Sequence, residues 1–295
     1  MTEQESLLDP GFMRRLEQLQ LLARRVYVGR MKGERRSALK GISTEFADYR
    51  QYVRGDDLRF IDWNIYGRLD RLFLKLFYEE QDLHFYVLFD TSGSMDYGDP
   101  KKVMFAKRTA AALAYIGLAN LDRVAVAALA GDIVDLLPPT RGKAQARKLL
   151  HFLEGIECDG ETALYPAARQ FLLRYPRRGL GVLITDFLDP SGYEDTIRLF
   201  LQHRWELFVV HVLSREEREP EHRGNLKLVD CETGQFTEVT VNQYLLNHYR
   251  RTVREFCASI KEFCTVRGVP YFGLTSDFSI ERMILEFFRK RGVIK

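Results

Sequence analysis

Between Leu83 and Asp96 the chain reads LHFYVLFDTSGSMD, and no other stretch limits the possible folds so tightly. The apolar and aromatic run from Phe85 to Phe89 stops abruptly at Asp90. A short continuous apolar run bounded by a turn signal predicts a strand buried on both faces, as in a sheet with helices above and below. Ser92 and Ser94 follow at alternate positions with Gly93 between them. These polar residues fall just beyond the carboxyl end of the strand, where open α/β sheets place their ligand sites. Asp90, Ser92 and Ser94 offer hard oxygen donors that suit Mg²⁺, Mn²⁺ or Ca²⁺ and not a soft metal. Gly93 is expected to supply the backbone freedom that lets the loop fold tightly. The plainer reading is a strand-ending turn whose Asp and Ser cap the next helix.

Downstream, strand and helix patterns alternate. A helix is predicted from Lys101 to about Asn120, with a stripe of Val103, Ala106, Ala110, Leu113, Ala114 and Gly117 that would let it lie close to a sheet. A strand from Arg123 to Ala130 turns at Gly131-Asp132 and returns over Ile133 to Leu137 as a hairpin, with Pro138 and Pro139 ending it. After an amphipathic helix over 143–154 comes the loop Cys158-Asp159-Gly160-Glu161-Thr162, then a helix to about Tyr175 with Pro166 in its first turn. The apolar run Gly181 to Thr185 predicts a second buried strand, ending in Asp186. A helix over 192–203, a strand from Glu206 to Leu213, an exposed charged loop over 214–224 and a hairpin from Leu226 to Val241 follow. A long helix over 242–267, a strand from Tyr271 to Leu274 and a helix over 279–291 complete the pattern.

This order predicts an α/β fold: a doubly wound, mainly parallel sheet with helices on both faces over residues 83–295, plus an N-terminal α+β appendage over 1–82. In such a sheet the first strand and a later one become neighbours where the winding reverses. If the strands before Asp90 and Asp186 are those neighbours, the two carboxylates end side by side and a hydroxyl from Thr162 reaches the same crevice. Asp90, Ser92, Ser94, Thr162 and Asp186 then converge on one cation.

The appendage has three parts. Residues 11–25 carry the helical period; Arg24 to Lys40 is rich in Arg and Lys; and 42–82 interleaves charges of both signs with aromatics, as a small module held partly by ion pairs. Phe73 to Phe77 is expected to be a strand leading into the central sheet. Asp56, Asp57, Arg59 and Trp63 form either a structural ion-pair network or a partner surface. The basic segment is the one candidate for nucleic-acid binding, although a net charge of +3 over 295 residues is too small to imply a polyanionic partner. Cys158, Cys231, Cys257 and Cys264 show no C-x-x-C spacing and are expected to be free thiols. The acidic N-terminus lacks the apolar core of a signal peptide, and no apolar run approaches the roughly 20 residues that span a bilayer. A reduced, cytoplasmic protein is expected.

The motif Asp90 to Met95, with Thr162 in its Gly-Glu-Thr loop and Asp186 after an apolar strand, resembles the metal-ion-dependent adhesion site of von Willebrand factor A domains. The upstream segment resembles the bacterial domain-of-unknown-function family 58. Ser37, Gly41, Glu45-Phe46, Arg50, Tyr52, Gly55-Asp56-Asp57, Arg59 and Ile61-Asp62-Trp63 stand at that family's spacing, while Gly67-Arg68 replaces an Ala-Arg. The resemblance implies a von Willebrand factor A-like domain and a partnership with a MoxR-type AAA+ ATPase. On this reading Ser92, Ser94 and Thr162 hold Mg²⁺, Asp90 and Asp186 supply charge, and a Glu or Asp of a partner protein completes the coordination, with no bond chemistry. One rival is a Mg²⁺-dependent phosphoryl hydrolase with Asp90 as nucleophile; phosphatases of the haloacid-dehalogenase kind carry a second Asp where this chain has Ser92. The other is nucleic-acid binding through Arg24 to Lys40.

Overall fold

The structure, a computed structural model, describes residues 7, 11, 14, 15, 17, 18, 46–77 and 83–290. The described residues of the expected 11–25 helix are helical, while the basic segment Arg24 to Lys40 and the family positions Ser37, Gly41 and Glu45 lie outside the described residues. The chain divides into two compact units, 26–82 and a larger one comprising 1–25 with 83–295. Among the described N-terminal residues, Glu17 accepts from Lys143 at 3.2 Å, and Arg15 lies 3.9 Å from Glu281.

In the smaller unit, β1 (Phe46–Gln51) pairs antiparallel with β2 (Phe73–Phe77). The expected strand at 73–77 is present, but it belongs to this separate two-stranded sheet and not to the central one. Asp62 caps the helix α1 (Trp63–Leu69) by accepting from the amides of Asn64 and Ile65. It also takes a hydrogen bond from the Tyr49 hydroxyl and an ion pair from Lys75. Asp56 and Asp57 pair locally with Arg50 and Arg59. These carboxylates shape turns and a helix end, whereas Trp63 is largely exposed and meets Tyr66 edge-on.

The larger unit is built on a six-stranded sheet. Its strands are β3 (His84–Asp90), β4 (Arg123–Leu129), β5 (Ile133–Thr140), β6 (Leu180–Thr185), β7 (Glu206–Leu213) and β10 (Tyr271–Thr275), in spatial order 10-7-6-3-4-5. All neighbours are parallel except β4 and β5, so the hairpin-connected strand sits antiparallel at one edge. β5 runs on to Thr140 through Pro138 and Pro139, which were expected to end it. An edge strand has no ladder partner on its outer side, and the two prolines lie where the β4–β5 register is broken, both settings in which a missing N–H costs little.

Successive residues of a strand face opposite sides, and both sides of this sheet are covered. On one, Tyr86 and Leu88 join Ala125, Ala127 and Leu183 in a core with α4 (Leu164–Arg174), α5 (Glu194–Gln202) and α7 (Gln243–Val266). There the Tyr86 ring stacks on Trp205 at 4.2 Å between centroids. Gly181 makes room for this pair, since a Cβ on it would lie 2.6 Å from the indole. On the other side lie α2 (Lys102–Ala119) and α8 (Ile280–Lys290). α2 is buried nearly all round rather than along one stripe, and at Gly117 a Cβ would meet Phe85 at 2.7 Å. The remaining elements are α3 (Ala146–Gly155), a short α6 (Arg215–Arg218) and the two-stranded β8 (Gly224–Val229) and β9 (Phe236–Val241). The stretch 214–224, expected to be loop, therefore begins as a helix, nucleated by a capping box in which Ser214 and Glu217 satisfy each other's backbone amides. Among the described residues no helix is long and apolar enough to cross a membrane.

Candidate functional site

β3 lies between β6 and β4, and its register with β6 runs from Phe85 opposite Leu180 to Phe89 opposite Ile184. One step further Asp90 reaches Thr185, whose hydroxyl donates to Asp90 Oδ2 at 2.7 Å. The winding thus reverses between the strands that carry the two carboxylates. Phe187 then takes a left-handed backbone conformation (φ 56°), uncommon for a bulky residue, which turns the chain immediately after Asp186.

Four of the five expected residues form two buried hydrogen-bonded pairs, Asp90 with Ser92 and Asp186 with Ser94, whose hydroxyl oxygens approach one another. Ser92 donates to Asp90 Oδ1 through both its amide (2.9 Å) and its hydroxyl (2.7 Å). Ser94 donates its hydroxyl to Asp186 Oδ2 at 2.7 Å. Thr162 is carried to the same end of the sheet by its loop, which is tied to the Asp90 loop by Gly93 N–H to Gly160 O and Asp159 N–H to Thr91 O, both 3.0 Å. Its hydroxyl donates to Glu232 Oε1 at 2.5 Å, and its amide to Glu232 Oε2 at 3.1 Å.

The protons decide what these groups offer. Each hydroxyl has one proton, and each of the three is committed to a carboxylate. Ser92 Oγ and Ser94 Oγ lie 3.2 Å apart, so once their protons are assigned to Asp90 and Asp186 two lone-pair-bearing oxygens face one another. A cation between them would turn this repulsion into attraction. The spacing is close to the edge of an octahedron of oxygens around Mg²⁺, about 2.9 Å for metal–oxygen distances near 2.05 Å. The donor set therefore fits a small hard divalent ion. Among the described residues no three His, Cys, Asp or Glu side chains gather as a metal cluster; the donors here are mainly hydroxyls.

Asp90 is fully buried, and burial, with the charge of Asp186 adding to it, pushes its pKa up to about 7 against the opposing hydrogen bonds of Ser92 and Thr185. The site also holds a cation of its own, which sequence reasoning missed. Lys102, with no exposed side-chain surface, donates to Asp186 Oδ2 at 2.7 Å and to Glu217 Oε1 at 2.5 Å. Burial alone would lower its pKa, yet the two carboxylates outweigh that and hold it above the usual lysine value. Glu232, Glu217 and Thr185 were missed as well. Gly93 was assigned the wrong physical reason: its φ is not in the left-handed region, and what requires glycine there is space. A Cβ would stand 3.2 Å from Cys231 O and 3.4 Å from Glu232 Cγ, because the turn joining β8 to β9 rests on it.

Behind Asp186, His211 of β7 pairs in register with Thr185, is ringed by Phe187, Phe256 and Tyr271, and holds its Nδ1 2.7 Å from the Tyr271 hydroxyl. Burial drives its pKa down to about 4, with Asp186 opposing. A histidine whose folded pKa lies below its unfolded value gives its full stability above about pH 6.5 and loses it as pH falls towards 4. The gap in urea-unfolding free energy between wild type and His211→Asn is therefore expected to shrink by about 2 kcal/mol from pH 7 to pH 5. A gap unchanged by pH would mean that His211 is not held neutral.

All four cysteines are free, Cys264 buried and Cys231 exposed on the turn above the site. Among solved structures, BatB from Bacteroides thetaiotaomicron aligns over 71% of this chain and 99% of its own at 16% identity and a TM-score of 0.44. Manganese-loaded TRAP of Plasmodium vivax aligns over 44% of this chain and 57% of its own at 22% identity and a TM-score of 0.35. An uncharacterized protein of Mycobacterium tuberculosis, Rv1480, is 24% identical over 299 residues, covering 97% of this chain and 92% of the relative. The sequence profile described as protein of unknown function DUF58 matches residues 48–258, well over half the chain, and the protein belongs to that family; its larger unit is an α/β fold.

Proposed function

We propose that the larger unit is a non-enzymatic protein-interaction module that captures a partner's Glu or Asp through a divalent cation, Mg²⁺ in the first instance and Mn²⁺ or Ca²⁺ as substitutes. The observation that carries this reading is the commitment of all three hydroxyl protons to carboxylates, which leaves Ser92, Ser94 and Thr162 with only lone pairs to offer. Asp90 and Asp186 would hold those hydroxyls in place and supply the negative charge. Neutral hydroxyl donors leave a bound cation electron-poor, so it retains its attraction for an outside carboxylate. Asp90 has no exposed surface and both its oxygens accept hydrogen bonds, an arrangement better suited to orienting donors than to attacking a phosphoryl group.

A MoxR-type AAA+ ATPase is the partner that the family resemblance suggests. The test immobilises the full chain and offers a purified ATPase of that type with Mg²⁺, with EDTA, and with Mg²⁺ restored after EDTA. Capture with Mg²⁺, release by EDTA and recovery on restoration are expected. Equal capture in all three conditions would overturn metal-dependent binding, and an absence of capture throughout would remove this partner.

A further inference from the structure

One of the proposed donors, the Thr162 hydroxyl, already meets an acid of the chain itself, Glu232. β8 and β9 form a hairpin separate from the main sheet, and of their residues only Leu226, Val239 and Val241 are even partly buried. Its turn is built locally: Asp230 Oδ1 accepts from the amides of Glu232 and Thr233 at 2.9 Å, and Asp230 N–H donates to Gln235 O at 2.8 Å. Such a turn holds its shape without help from the rest of the fold, and it presents Glu232 at its tip. The tip rests on Gly93, between the two site serines, and the Glu232 carboxylate accepts both the hydroxyl and the amide of Thr162. With the tip in place Ser92 has no exposed surface, Ser94 6% and Thr162 4%. An incoming carboxylate cannot take the place of Glu232 at the Thr162 hydroxyl unless the tip moves. A segment with few buried apolar contacts is where local opening costs least.

We propose that Glu232 is a built-in competitor: carried on the tip of the β8–β9 hairpin, its carboxylate occupies the acid position over Ser92, Ser94 and Thr162 and must be displaced before a partner's acid binds. This rests on the metal-dependent reading above. It makes the site a closed one whose apparent affinity for a partner is lowered by the fraction of time the tip is down. A tip closed about 90% of the time weakens an outside acid about tenfold.

The test uses Mn²⁺ and acetate as probes on the full chain. Water-proton relaxation reports how many water molecules Mn²⁺ carries, and acetate is titrated into the Mn²⁺-loaded protein. Wild type is expected to bind Mn²⁺ saturably and Asp90→Asn to lose that binding. Glu232→Gln is expected to hold Mn²⁺ with higher water relaxivity and to bind acetate about tenfold more tightly than wild type. Gly93→Ala gives a second variant that leaves Glu232 intact but lifts the tip by steric contact; it is expected to shift both readouts in the same direction by less. If Mn²⁺ binding depends on Asp90 while both variants match wild type in relaxivity and acetate affinity, Glu232 merely anchors the hairpin: the inference falls and the metal site stands. If Glu232→Gln fails to fold, the Gly93→Ala comparison decides alone in the same two ways. If wild type binds no Mn²⁺, inference and metal site fall together.

Discussion

Asp90→Asn is expected to lower Mn²⁺ affinity about 100-fold while leaving the metal-free protein as stable as wild type. The magnitude is the upper end of what losing a carboxylate that orients metal ligands costs. The stability follows from the local geometry. Asp90 Oδ1 accepts twice from Ser92, which an amide oxygen can also do, and Oδ2 accepts from Thr185, a bond that an amide NH₂ reverses by donating to the hydroxyl. The neutral side chain also removes the repulsion with Asp186 that helps to push Asp90 up to about 7. Asp90→Ala is a poorer test, because it strands three buried donors at roughly 1–3 kcal/mol each. The raised pKa adds a second signature. A cation binds the ionised carboxylate, so wild-type Mn²⁺ affinity should hold above pH 7 and fall about tenfold per pH unit below it as a proton competes. Isothermal titration at pH 6, 7 and 8 checks both parts. Affinity in the Asn variant within a fewfold of wild type would show that Asp90 takes no part in holding an ion.

The backbone of this site was legible because its signals are local and strong. Apolar runs ending in Asp90 and Asp186 marked the two strands, and the alternation of elements implied that they become neighbours; the register that places Asp90 beside Thr185 bears this out. The groups that were missed depend on tertiary placement. Glu232 stands 70 positions from Thr162 in a segment that reads only as a turn, and nothing in an isolated Asp-Cys-Glu-Thr-Gly says what the tip touches. Lys102 and Glu217 did leave signals. Lys102 falls in phase with Ala106, Ala110, Leu113 and Gly117 at spacings of four, four, three and four, so it continues the expected small-residue stripe, and it is buried beside an exposed Lys101. Ser214-x-x-Glu217 is a capping-box spacing that marks a helix start within a charged stretch read as loop. The prolines of β5 misled for a related reason: they end a central strand, and the sequence alone does not say that this one is an edge.

Lys102→Met is expected to cost the metal-free protein about 3–5 kcal/mol, and to cost the Mn²⁺-saturated protein less. Lys102 is wholly buried between Asp186 and Glu217, and removing one partner of such a pair leaves uncompensated charge in the interior, which is where that range comes from. An isosteric apolar side chain fills the volume but neutralises nothing. A divalent ion at the site would stand close to the same Asp186 oxygen that Ser94 and Lys102 share, so ammonium and metal repel one another while competing for one carboxylate. Removing the ammonium should therefore tighten Mn²⁺ binding, and a tenfold gain would return about 1.4 kcal/mol of the lost stability. Urea unfolding of both proteins, in EDTA and in saturating Mn²⁺, gives the four free energies needed. A deficit of the same size with and without Mn²⁺ would mean that lysine and metal do not share Asp186. A larger deficit with Mn²⁺ would mean that Lys102 serves to hold Asp186 in position for the ion. The expected ordering, with the metal partly replacing the lysine, makes Lys102 the charge that keeps two buried carboxylates tolerable until a cation arrives.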